Sequence, residues 1–250
     1  MNLDYDKLAE EAMLLGDALQ KNAKEFLRGT REFIREVQYD VDAFRQRDPA
    51  ATSDAEILLL YSGLHARTAH RLSHILHKKG HTFAARAISQ GAKMITGIEI
   101  HPGATIGRGL VIDHGTGVVI GETAEIGDNC TIYQGVTLGG TGKDIGKRHP
   151  TLGNGVLIGA GAKVLGPLTI GDNAKIAAGA VALHDIPAGS TAVGIPARVV
   201  SVDGVRVTED LDQIHIPDPV KEELASLGDE LKALRAEVAA LKKSAQEATE

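Results

Sequence analysis

Histidines, carboxylates and arginine are the residues of this chain best suited to chemistry, and two adjacent pairs stand out. Asp113-His114 follows the aliphatic Ile112 in a stretch made mostly of branched apolar residues and glycine. Arg148-His149 lies in a polar, glycine-rich segment, Gly139 to Pro150. An imidazole has a proton affinity suited to general-base work, and a guanidinium grips a carboxylate with two parallel bonds. A third group, His70, His74, His77 and His81, would line one helix face and has the spacing of metal ligands. No acidic or cysteine ligand accompanies it, and Arg67, Arg71, Lys78 and Lys79 crowd the stretch with positive charge, so a surface position or interhelical packing is the expectation and no metal. Cys130 is single and forms neither an internal disulfide nor a multi-cysteine zinc site. No Gly-x-x-x-x-Gly-Lys phosphate loop occurs.

The elements that must position these residues change character near Gly97. Seven of the eight aromatic residues lie at or before Phe83, and 21 of 29 glycines fall between Ile98 and Ser201. Residues 1–97 read as an α-helical domain. Leu8, Ala12, Leu15 and Leu19, then Phe26, Phe33, Val37, Val41 and Phe44, recur at helical spacing. Asp48-Pro49 stops the pattern, because the residue before proline is pushed out of the α region. Ser53-Asp54-Ala55-Glu56 is a capping box for the next helix, and Gly80 separates two more, about 64–79 and 82–95.

From residue 98 to 200 the period is six. Ile100, Ile106, Ile112 and Val118 keep it; after a two-residue offset Ile120, Ile126, Ile132 and Leu138 resume it; Leu152, Ile158, Val164, Ile170, Ile176 and Ala182 keep it again. This is the hexapeptide pattern of a parallel β-helix, in which aliphatic side chains stack in successive coils. A narrow prism has little room for aromatics, and Tyr133 is the only one after Phe83. Residues 139–150 cannot continue the coil and should loop out, as functional excursions do.

Residues 201–250 read as a polar linker followed by a heptad-patterned helix. Val220, Leu224, Leu227, Leu231, Leu234, Val238 and Leu241 alternate three and four apart, and Glu230 with Arg235 and Glu237 with Lys242 flank the seam. The pattern fits either an intermolecular coiled coil or a helix docked on its own domain.

The totals describe a soluble protein: 33 acidic and 27 basic side chains, a net charge of −6, and 43% apolar residues. That balance argues against nonspecific nucleic-acid binding. The longest apolar runs fall well short of the roughly 18 residues a membrane span needs. The acidic start, Met1 to Asp6, lacks a secretion signal, so the cytoplasm is the expected compartment.

The segments Asp48-Pro49-Ala50, Ile98-Glu99-Ile100-His101-Pro102, Ile112-Asp113-His114-Gly115-Thr116-Gly117, Gly139-Gly140-Thr141-Gly142-Lys143, Arg148-His149-Pro150 and Gly194-Ile195-Pro196-Ala197-Arg198 together resemble the serine O-acetyltransferases. The likeness spans about residues 45–200. It implies an α+β chain: an amino-terminal α-helical domain, a left-handed parallel β-helix and a carboxy-terminal helix. It also implies a homotrimer, or a dimer of trimers, with active sites between neighbouring subunits, acetyl transfer from acetyl-CoA to L-serine, and feedback inhibition by L-cysteine. By the same resemblance His114 is the general base and Glu99, where many members carry aspartate, is the carboxylate that orients it. Asp48 and Asp113 would hold the substrate amino group, Arg148 its carboxylate, and His149 would lie beside the reacting end. Gly140, Thr141, Ala160, Lys175 and Ala178 would bind acetyl-CoA. No serine or cysteine matches an acyl-carrying role, so direct transfer is expected. Family members that dock into the sulfhydrylase of cysteine synthesis end in isoleucine; this chain ends in Glu250, and docking is not expected.

Three other functions compete with this reading. A hexapeptide acetyltransferase for another hydroxyl acceptor would keep the base but not need Asp48, Asp113 and Arg148. A trimeric β-helix carbonic anhydrase would need a close histidine pair that residues 98–200 lack. A noncatalytic scaffold would not need both His114 and His149.

Overall fold

A computed structural model describes residues 28–142, 145–202, 226–235 and 238. The expected helix over Leu8 to Leu19 and most of the expected linker lie outside the described residues. Helix α1 (28–47) ends where Asp48-Pro49 stops it. Helix α2 (Asp54–Leu60) begins at the expected box: the Ser53 hydroxyl accepts from the Glu56 amide at 3.2 Å. The Glu56 carboxylate reaches back to the Thr52 amide at 2.9 Å. Helices α3 (Ser62–Lys78) and α4 (Thr82–Thr96) form an antiparallel pair across Gly80, whose φ of 83° suits glycine.

Fifteen short strands follow, β1 (Glu99–Ile100) to β15 (Arg198–Ser201). They form three sheets, β1-β4-β7-β10-β13, β2-β5-β8-β11 and β3-β6-β9-β12-β14-β15, parallel except for the last pair. These are the three faces of a left-handed β-helix. We call the corners between first and second faces, second and third, and third and first the A, B and C corners.

The core holds two inward series per hexapeptide. Ile100, Ile112, Ile120, Ile132, Leu138, Ile158, Val164 and Ile176 form one; Ile98, Ala104, Cys130, Val136, Val156, Ala162, Ala174 and Ala180 form the other, two residues earlier. Val118, which the six-residue count places in the first series, belongs to the second. The Glu99 amide donates to the Val118 carbonyl and the Val119 amide to that of Val136, which stacks Val118 between Ile98 and Val136. Burying these aliphatic side chains, at about 1.5–3 kcal/mol for each large one, is the main driving force for coiling.

Coil length varies only at corners. Glu99 pairs with Val119, twenty residues on; Val119 pairs with Thr137 and Lys163 with Val181, eighteen on; Thr137 pairs with Lys163, twenty-six on. The first coil therefore carries two additional residues at the C corner, around His114, and the third carries eight at the A corner, before Arg148. The B corner is regular and fastened from coil to coil. The Arg108 amide donates to Asp128, the Asp128 amide to Asn154 and the Asn154 amide to Asp172, at 2.7–2.8 Å.

The helices plug the amino-terminal end of the prism. Gly63 of α3 lies so close to β3 that a Cβ would sit 2.1 Å from the Ile112 carbonyl oxygen. Buried Arg67 donates to the Ile106 and Gly107 carbonyls at 3.0 and 2.9 Å. Of the histidine stripe, His70 and His74 pack against the prism instead of another helix, with His70 Nε2 at the Ala104 carbonyl and His74 Nδ1 at that of Pro102, while His81 is exposed. Burial, with Arg67 adding to it, keeps His70 neutral by driving its pKa far down. No group of three metal-ligating side chains occurs among the described residues, and no described helix is long and apolar enough to cross a membrane.

Candidate active site

The additional residues of the first coil shape the C corner. Gly115, Thr116 and Val118 donate to the carbonyls of Asp113, His114 and Gly115 at 2.6, 3.0 and 3.0 Å, and the Gly117 amide reaches Gly97 at 3.0 Å. His114 sits at φ 57°, a left-handed conformation that costs a non-glycine residue roughly 1 kcal/mol. This backbone conformation sets the direction of the Cα–Cβ bond, and the side chain is exposed. Behind it, a Cβ on Gly115 would lie 2.4 Å from Ile98 Cδ1, so only glycine lets the corner rest on the core.

Asp48 and Asp113 converge beside this corner. The Tyr61 hydroxyl donates to Asp48 Oδ2 at 2.7 Å and the Ala50 amide to Oδ1 at 2.8 Å. Burial, and after it the Asp48 hydrogen bond and the charges of Asp48, Glu56 and Asp113, push the Tyr61 phenol up to about 12. Tyr133 is raised by burial and then by the same two aspartates. Both carboxylates thus act on both phenols, and the four groups form one cluster suited to an ammonium group.

At the A corner, the eight-residue excursion returns through Arg148 and His149. Arg148 pairs with the Glu122 carboxylate, whose pKa this hydrogen bond lowers against the opposing effect of burial. Thr123 Oγ1 accepts the amides of Arg148 and His149 at 3.0 and 3.1 Å and lies 2.9 Å from His149 Nδ1. The Thr123 amide also points at Nδ1, at 3.2 Å. With two amides already donated to it, the hydroxyl spends its single proton on Nδ1. That nitrogen must then be an acceptor, so the neutral ring carries its proton on Nε2. Burial, with help from Arg148 and Lys147, lowers the His149 pKa and maintains that neutral form. The ring packs directly on Gly121, where a Cβ would come within 2.0 Å of His149 Cδ2.

Within one chain these two groups do not meet. The C and A corners are separated by the first face, and the four steps from Gly117 to Gly121 alone span about 13 Å. The acetyl-CoA candidates divide in the same way: Gly140 and Thr141 belong to the A corner, Ala160 and Ala178 to the C corner, and Lys175 to β12 on the third face. Glu99 opens β1, next to Ile98 beneath the His114 corner. Its carboxylate bonds Lys93 Nζ of α4 at 2.5 Å, and that bond first of all, against burial, holds its pKa below the usual range.

Five residues absent from the sequence-based site are central to this geometry: Tyr61, Gly121, Glu122, Thr123 and Tyr133. Tyr133 did carry a signal, as the sole aromatic of the repeat domain. Gly121, Glu122 and Thr123 carried none, since small or polar residues after a core isoleucine make the ordinary hexapeptide corner, and Tyr61 looked like one more apolar position at a helix end.

A hexapeptide prism with a histidine held at one corner and polar groups on a looped-out excursion defines an acyltransferase of the hexapeptide-repeat class. Family comparison agrees: "Bacterial transferase hexapeptide (six repeats)" matches residues 149–183, and "Serine acetyltransferase, N-terminal" matches residues 6–69. The chain is 56% identical over 206 residues to a serine acetyltransferase of Bacillus subtilis, covering 82% of this chain and 95% of that one. It is 62% identical over 168 residues to one from Helicobacter pylori, covering 67% and 98%. Among solved structures it superposes on the Neisseria gonorrhoeae serine acetyltransferase in complex with serine with a TM-score of 0.66 at 44% identity, covering 68% of this chain and 70% of that one. The Brucella abortus serine acetyltransferase in complex with coenzyme A gives 0.69 at 43% identity, covering 75% of each. A serine acetyltransferase complex with cysteine gives 0.70 at 42%, covering 73% and 71%. The chain belongs to the serine acetyltransferase family.

Proposed function

We propose that this enzyme transfers the acetyl group of acetyl-CoA to the hydroxyl of L-serine, giving O-acetyl-L-serine and CoA, with His114 as general base. His114 takes the hydroxyl proton as the oxygen attacks the thioester carbon; the tetrahedral intermediate collapses by breaking the C–S bond, and the departing thiolate receives the proton back from the imidazolium. Asp48 and Asp113, backed by Tyr61 and Tyr133, hold the serine ammonium, and Arg148, aimed by Glu122, holds its carboxylate. Nδ1 of His149 is taken by Thr123, so this ring serves as a donor through Nε2 and not as a second base. Glu99 orients His114, in competition with its bond to Lys93. Gly140, Thr141, Ala160, Lys175 and Ala178 line the path of acetyl-CoA. L-Cysteine carries the same two charged groups as serine and binds the same site as a feedback inhibitor.

The observation that carries this reading is the division of an amino-acid-shaped charge pattern between two corners. A cation site and a base lie at one corner, and an anion site with a donor lies at the other. The two combine when the A corner of one copy packs against the C corner of the next around an axis parallel to the coils. A head-to-tail contact of this kind closes as a ring, and a three-faced prism suits a trimer. Support for the substrates comes from the likeness to the serine and coenzyme A complexes.

The test is thiol release from acetyl-CoA with a panel of acceptors. L-Serine should be preferred, and neither serine methyl ester nor a serine lacking its amino group should replace it. Equal turnover of a sugar hydroxyl would favour an acetyltransferase for another acceptor.

A further inference from the structure

The described part of the carboxy-terminal segment is a helix over 226–235, and every residue in it is exposed. Leu227, Leu231, Leu234 and Val238 are spaced four, three and four apart and are 54, 50, 59 and 47% exposed, so this apolar seam is not covered by the body of the chain. Gly228 sits inside the helix, where it weakens helix formation, and Asp229 pairs with Lys232 at 2.9 Å on the solvent side. A short helix of this kind is marginal alone and needs a partner for its seam.

The charges beside the seam select that partner. With Leu231 and Val238 at position a and Leu227 and Leu234 at position d, Glu230 falls at g and Arg235 at e. The sequence extends the assignment, with Glu223 and Glu237 at g, Lys242 at e, and Leu224 and Leu241 in the seam. Every g position is acidic, and both side-chain-bearing e positions are basic. In a parallel pair, g of one helix faces e of the next heptad in its neighbour, which joins Glu230 to Arg235 and Glu237 to Lys242. An antiparallel pair would set glutamate against glutamate and arginine against lysine.

We propose that this helix is a docking surface for the same helix of a second copy, forming a parallel, in-register coiled coil that ties together the copies sharing an active site. The proposal rests on the ring of copies argued above. In such a ring the coil axes are parallel, so residue 202 of every copy lies at the same end of the prisms. The 23 residues from 203 to 225 reach at most about 80 Å, which keeps the tails near one another. Tethering of that order gives effective concentrations in the millimolar range, enough to pair helices that would not pair free in solution.

Crosslinking in the full-length protein tests this. Leu231→Cys at the seam should join chains through a short bismaleimide, whereas Lys232→Cys on the outer face and the parent chain with buried Cys130 should not. Both variants should keep the parent turnover. Glu230→Lys should lower the melting temperature of the assembly, and the combined Glu230→Lys and Arg235→Glu swap should restore it, a rescue that a helix resting on its own domain would not give. Mass measured by light scattering separates the two ideas. An assembly with no crosslink at residue 231 and no charge-swap rescue overturns the coiled coil and leaves the shared site standing. A monomeric mass with full activity overturns both.

Discussion

The two functional corners hold their side chains by different means. At the C corner the backbone does the positioning: a left-handed residue, a net of amide bonds and a glycine pressed on Ile98 leave His114 one direction. At the A corner side chains do it. Thr123 gathers two amides and a ring nitrogen, Glu122 holds the guanidinium, and Gly121 leaves room for the imidazole. Backbone positioning tolerates loss of the ring it carries. Side-chain positioning fails whenever any supporter changes, so the A corner should be the more easily retuned of the two.

The largest expected effect is at the C corner. His114→Ala should lower kcat by about 10²–10⁴, the usual cost of losing a general base, while the melting temperature changes little. A variant keeping more than a third of parent turnover would remove His114 from the role, and one that melts early would show that the ring supports its corner. Next is Gly121→Ala, whose methyl must displace His149. The serine KM should rise at least tenfold with the fold intact, and an unchanged KM would show that His149 does not need its seat on Gly121.

Thr123→Val is a finer probe. It removes the hydroxyl proton from Nδ1, and with it a bond that favours the neutral ring, so the His149 pKa, read by NMR titration of the ring, should rise. Thr123→Ser should restore it. If Val and Ser behave alike, the hydroxyl does not set the tautomer.

The smallest effect is on stability. His70, His74, His101 and His149 all have pKa values lowered in the fold, chiefly by burial. Below the ordinary histidine value of about 6.5 the unfolded chain takes up protons that the folded chain refuses, so stability falls as pH drops through that value. Melting temperatures at pH 7.5 and 5.5 should show the decline, and His70→Gln should reduce its slope. A flat profile would mean that these rings protonate without unfolding cost.

The solenoid was legible because its signal is periodic: each buried Ile or Val is repeated at a fixed interval, and a coil offers it one environment. The His114 corner was legible as well, because two additional residues break that interval visibly between Ile112 and Ile120. Two things were not. The six-residue count could not separate two inward series, so Val118 was read in the wrong one. The supports of the A corner look like ordinary corner residues, and their roles arise from contacts across 26 residues of sequence between Thr123 and His149. Glu99 shows a different limit, since the lysine that claims it comes from a helix and not from the repeat.

The fastening at the B corner runs one way. Each coil's amide is held by a side chain of the coil that follows it, from Arg108 through Asp128 and Asn154 to Asp172, while the helices close the opposite end of the stack. Beyond the backbone ladders that every coil shares, a coil at the carboxy-terminal end is therefore fastened by this chain from one side, whereas the first coil is also held by the helices. Hydrogen exchange should record this as a gradient, with protection greatest at the coil that carries the base and declining toward β13, so that the chemistry sits at the slowest-breathing end of the spool.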